Sequence, residues 1–143
     1  MSGINPAHMD EVADRLQSAA PGTRVFAAGA AAIGAVAPPA EIFPGSNFAA
    51  AISSGDVTAA GIGTTTAVCE GTALAFGHPF LFTGTSSMGV HTANAVYVQP
   101  DLFGGPFKVA NPGGVAGILD QDRLAGIRGQ FDRVPHHCRS SPR

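Results

Sequence analysis

The alternation of apolar and polar residues changes period along the chain. Near the N-terminus, Asn5–Pro6 precedes Met9, Val12, Ala13 and Leu16. That spacing of three, four and seven, behind a side chain able to cap and a proline at the first helical position, predicts a short amphipathic helix stopped by Pro21–Gly22. Residues 27–40 are low-complexity Ala, Gly and Pro and read as a connector. From Phe43 the pattern shortens to runs of β-branched and small residues separated by turn formers. Phe48–Ile52 predicts a strand closed by Ser53–Ser54–Gly55–Asp56, and Ala60–Cys69 predicts a second. Glu70–Gly71 is a two-residue connection, so Thr72–Phe76 returns antiparallel to that strand and delivers Gly77–His78 at its end. Further strands are expected at Ala93–Gln99, Phe107–Val109, Val115–Leu119 and Leu124–Gly129. No fixed-period repeat points to a propeller or solenoid. Short antiparallel strands that must remove their own edges predict a mainly β fold built as a small barrel, with one short helix before it.

Composition narrows the class. A chain of 143 residues suits one domain, and 45% apolar against 13% charged residues is a globular balance. Nineteen glycines and eleven prolines, dispersed rather than gathered in one linker, fit many turns between short strands. The formal charge of −2 lacks the basic face that phosphate binding requires, so nucleic acid is not an expected partner. Arg123, Arg128, Arg133, Arg139 and Arg143 are interspersed with Asp120, Asp122 and Asp132, a mixed solvated surface. The apolar run Val25–Ala37 is shorter than the roughly 20 residues a membrane span needs, so no transmembrane segment is expected. Asp10, Glu11 and Asp14 stand where an export signal would be positive.

Several residues could carry chemistry. His78, in LAFGHPF, has an imidazole that titrates near neutrality at the end of a strand, and Pro79 fixes the exit of the chain; a turn histidine is the structural alternative. Cys69 lies in a strand pattern and is expected in the core rather than as a nucleophile. Cys69 and Cys138 have no CxxC spacing. The adjacent His136–His137 beside Cys138 diverge and make a poor metal site, so neither metal nor other cofactor is expected. His91 reads as structural. Asn111–Gly117 (NPGGVAG) lacks the order of a phosphate loop and reads as turns.

Three separated stretches, PGSNFAAAISSGDVTAAGIGTTTAV, ALAFGHPF and VANPGGVAGILDQDRLAGIRG, occur in one order over Pro44 to Gly129. Together they resemble the stage IV sporulation protein B (SpoIVB-type) serine peptidase family. The resemblance implies a fold like the first half of a chymotrypsin-like double barrel. It implies a serine endopeptidase acting on protein or peptide, with His78 as general base, and an extracytoplasmic or membrane-associated setting for the full-length protein. On that reading residues 1–42 form a helix and connector, 43–135 a partial peptidase domain and 136–143 a divergent tail.

A Ser–His–Asp site also needs a carboxylate, a nucleophile and an oxyanion hole. Asp120 and Asp122 of LDQDR are the candidate orienting carboxylates; alternatively the motif is structural, with Arg123 pairing one of them across a turn. The family's serine loop has no counterpart. Ser86–Ser87 lacks the elbow spacing and follows the base too closely, Ser53–Ser54 belongs to a turn, and Ser140–Ser141 stands at the end of the sequence. The expectation is therefore a peptidase domain with a base and no nucleophile, inactive alone, its polar tail arising from a frameshift or early stop. An uncovered apolar face would then favour self-association. The alternative is a non-catalytic barrel that binds a peptide or partner.

Overall fold

The computed structural model describes residues 4–19, 41–55, 57–102 and 105–133. The predicted connector at 27–40, the apolar run at 25–37, the helix stop at Pro21–Gly22 and the tail with His136, His137 and Cys138 lie outside them. A single turn of 3-10 helix, Pro6–His8, leads into helix α1, Met9–Ala19. Asn5 Oδ1 accepts the Ala7 N–H at 3.0 Å, satisfying a donor that the first turn leaves free. Glu11 and Arg15 pair at 2.7 Å one turn apart.

Six strands follow: β1 Asn47–Ser53, β2 Ala59–Cys69, β3 Thr72–Ala75, β4 Gly84–Gln99, β5 Phe107–Arg123 and β6 Gly126–Gln130. They pair antiparallel in the order β1-β2-β3-β6-β5-β4, and β4 returns to β1 to close a barrel. The β2–β3 hairpin turns at Glu70–Gly71 as expected, both residues with positive φ as the tight turn requires. Closure satisfies the backbone groups that an open sheet would expose at its edges. The interior is narrow and is filled by Phe48, Val90, Leu119 and Ile127 among the small side chains Ala50, Ala73, Ala75 and Ala116. Ile42, ahead of β1, is buried in the same cluster.

Three expectations change. Phe107–Val109 and Val115–Leu119 are parts of one 17-residue strand, β5, which runs straight through Asn111–Gly117, so that segment is strand and not turn. Its partner β4 begins at Gly84, well before Ala93, and the pair carries four register shifts, one of them spanning Gly113–Gly114, while Pro112 keeps its place opposite Ala93. Cys69 is exposed, not in the core. A register shift between Thr65 and Ala67 leaves both Thr66 and Ala67 facing out. That shift resets the alternation, so Val68 packs against the core and Cys69 points away.

Candidate active site

The loop from Phe76 to Thr83 joins β3 to β4 and carries the GHPF motif. Its first turn is tight: the Gly77 N–H donates to Ala75 O at 3.0 Å across Phe76, whose φ is +74°. A γ-turn of that hand is rare for a residue with a side chain. Phe82, φ +57°, repeats the left-handed conformation at the other end of the loop. Two elements hold this strained path. One is aromatic. The Phe76 and Phe80 rings meet edge to face at 5.9 Å, and Phe76 meets Phe48 of the core at 6.2 Å. They lie against Gly63 and Gly61 of β2. A Cβ at Gly63 would come within 2.2 Å of the Phe76 ring, and one at Gly61 within 2.4 Å of Phe80.

The other element is ionic. Asp122, fully buried near the end of β5, points its carboxylate into the loop. Oδ1 accepts the Phe80 N–H at 2.8 Å, and Oδ2 accepts the Leu81 N–H at 2.7 Å, with the Thr83 N–H and hydroxyl at 3.3 and 3.4 Å. Burial works against the charge. The amides of Leu81, Phe80, Thr83 and Phe82 outweigh it and hold the carboxyl below its ordinary value.

His78 is exposed on this anchored loop, its ring 5.5 Å from that of Phe76. Its Nδ1 lies 2.7 Å from Pro79 O. A carbonyl only accepts, so Nδ1 carries a proton, and in the neutral ring Nε2 is the nitrogen with the lone pair.

Asp120 serves elsewhere. Its two oxygens take a bidentate pair of bonds from Arg128 Nε and Nη2, at 2.9 and 2.7 Å, across the β5–β6 hairpin. This bond to Asp120 is the main reason the guanidinium is held even more firmly in its charged form. Asp120 and Asp122 face different partners, and neither carboxylate is hydrogen-bonded to His78. Arg123 pairs with neither of them; its Nε donates to Gln121 Oε1 at 2.8 Å, and Arg128 is the arginine that pairs within the motif.

Two of the candidate serines donate to backbone carbonyls. Ser86 Oγ donates to Leu119 O at 2.9 Å and Ser53 Oγ to Val57 O at 3.2 Å. Ser87 lines an open depression with Thr85, Ser86, Ile118, Asp120, Gln121 and Arg133. Among the described residues no serine hydroxyl is bonded to His78. His91, on β4, is buried, with Nδ1 3.0 Å from Gly113 O and Nε2 without a partner. No three His, Cys, Asp or Glu side chains converge as metal ligands among the described residues, and no helix there is long and apolar enough to cross a membrane.

Two roles had no signal in the local sequence. The carbonyl that fixes the His78 tautomer belongs to the next residue, and a backbone group leaves no trace in residue type. The clamp of Asp122 joins positions 42 residues apart, and strand pairing brings them together: Asp122 lies opposite Gly84 of β4 and opposite Ile127 of β6, which in turn pairs with Ala75. No family model matches the chain, and neither a curated protein nor a solved structure matches it.

Proposed function

We propose that this chain is the base-bearing part of a serine endopeptidase of the SpoIVB type, and that His78 is its general base. The observation that carries the reading is the Nδ1 contact to Pro79 O, which makes Nε2 the proton acceptor of the neutral ring in an exposed residue on an anchored loop. In a Ser–His–Asp site a carboxylate holds Nδ1–H so that Nε2 can take the serine proton. Here the Pro79 carbonyl supplies that hold in neutral form. A carbonyl orients the ring but stabilises the imidazolium less than a carboxylate does, which matches a half-site awaiting its complement.

In the reaction, a serine from a separate segment loses its proton to His78 Nε2 as its oxygen bonds to the peptide carbonyl carbon. The imidazolium then returns that proton to the departing amine, and water hydrolyses the acyl-enzyme by the same route. The substrate is protein or peptide. Without the serine and its oxyanion donors the chain alone turns nothing over.

A fluorophosphonate probe tests the first half of this reading: no serine of the chain alone becomes labelled, and stoichiometric labelling of one would overturn it. The second half is tested by adding a separately expressed downstream segment carrying the family's serine loop. Proteolysis should appear with the unmodified chain and be lost with His78→Ala.

A second reading, a partner-binding barrel without chemistry, draws on a different surface. Val96, Tyr97 and Val98 are consecutive on β4 and all more than half exposed. Such a run suits self-association or a partner's apolar face. Failure of complementation together with concentration-dependent sedimentation would favour it.

A further inference from the structure

The loop that carries His78 is built around an anion. The N–H groups of Phe80, Leu81 and Thr83 and the hydroxyl of Thr83 all point at one place, and the Asp122 carboxylate fills it. Neutral acceptors would satisfy these donors singly. Gathering them on one carboxylate is the arrangement by which turns and loops bind free anions. The residue that fills the site comes from β5, where Asp122 pairs with Gly84 on one side and Ile127 on the other, so its Cα is fixed by the barrel wall. Asp122 is wholly shut off from solvent, whereas His78, two residues before Phe80, is exposed. The left-handed Phe76 and Phe82 bracket the segment, and a path with two such residues needs an outside group to hold it.

We propose that Asp122 is a positioning residue for His78, acting as the resident anion of a backbone amide site in the 76–83 loop, and that this site, once emptied, takes up a free carboxylate. Asp122 does not touch the imidazole. It fixes the segment beyond Pro79, and thereby the Pro79 carbonyl that sets the His78 tautomer. The inference concerns how the ring is placed and stands whether or not a serine is ever activated; its readouts are spectroscopic and involve no proteolysis.

The test is chemical rescue. Asp122→Gly removes the carboxylate and leaves room for formate. The amides of Phe80, Leu81 and Thr83 should lose protection from hydrogen exchange by about tenfold or more, and the His78 imidazole resonances should move. Sodium formate should restore both, saturably, and sodium chloride at equal ionic strength should not. If Asp122→Gly does not fold unaided, recovery of the folded barrel with formate but not chloride reads the same binding.

Asp122→Asn supplies a variant of nearly the same volume. It keeps one acceptor and turns an NH2 group toward the loop donors, so protection should again fall at those three amides. Asp120→Asn, two residues away on the same strand, should leave the loop amides and His78 unchanged. Formate failing to rescue Asp122→Gly overturns the anion site. Unaltered loop amides and His78 signals in folded Asp122→Asn overturn the positioning role.

Discussion

His78 and His91 are held alike and placed oppositely. Each ring sets its Nδ1 against a backbone carbonyl, Pro79 at 2.7 Å and Gly113 at 3.0 Å. Each therefore, as a neutral ring, has its lone pair on Nε2. The His78 residue is exposed; the His91 Nε2 is buried with no partner, close to Gly89, where an added Cβ would come within 2.9 Å of it. The same tautomer, set by the same kind of bond, gives a proton acceptor in one region and a packed ring in the other. Local hydrogen bonding is thus not what distinguishes the two rings. Access separates them, and access follows from the loop that Asp122 holds on one side and the strand pairing that encloses the ring on the other.

The sharpest way to break this contrast is to release the anchored region. Asp122→Asn should cost about 3 kcal/mol in urea unfolding, since a charge-assisted cluster is lost and buried N–H groups are left poorly satisfied. The same residue sets an acid limb. Folding lowers the Asp122 pKa, so its ionised form contributes stability that is complete above the unfolded value of about 3.9 and is lost as pH falls through the lower folded value. Unfolding free energies measured from pH 6 downward should show that decline in the unmodified chain and a flatter one in Asp122→Asn.

The enclosed histidine comes next. His91→Ala leaves a cavity and an unpaired Gly113 carbonyl, and should destabilise by about 2 kcal/mol, reduced somewhat because the orphaned Nε2 goes with it. His78→Ala, by contrast, should stay within about 0.5 kcal/mol of the unmodified chain, as surface changes do. The smallest signal sharpens the contrast most directly. Diethyl pyrocarbonate, followed at each histidine by mass spectrometry, should modify His78 in the folded protein and reach His91 only on unfolding. Equal modification of the two would remove the distinction.

The sequence reveals those parts of the fold whose determinants are neighbours. The β2–β3 hairpin is legible because β-branched residues flank a two-residue turn, and α1 because Asn5 and Pro6 mark its start. β5 is not legible, because Pro and Gly ordinarily punctuate turns. In β5 they serve another purpose: a Cβ at Gly117 would come within 2.1 Å of Gln130 O, and one at Gly113 within 2.3 Å of Thr92 Oγ1. Those glycines let neighbouring strands approach closely, a requirement written in the partner strands rather than in the glycine run. The outward turn of Cys69 escapes for a related reason, since a bulge upstream changes which face each later residue occupies. At the site, His78 is visible from its motif. The partners of Asp120 and Asp122 are not, because the reach of each carboxylate depends on register: Asp122 lies opposite Gly84 at the end of the loop, and Asp120 falls in the register shift beside Gln121, the residue that pairs with Arg128.

Anchoring by a residue 42 positions downstream also imposes an order on folding. The β2–β3 hairpin draws on contacts close in sequence, but the clamp on the loop after it needs β5 in place in the sheet beside β4 and β6, a less local event. A nascent chain that has emerged only as far as Thr83 therefore carries the histidine without yet holding it in place. Completion of β5 is the step that sets the imidazole.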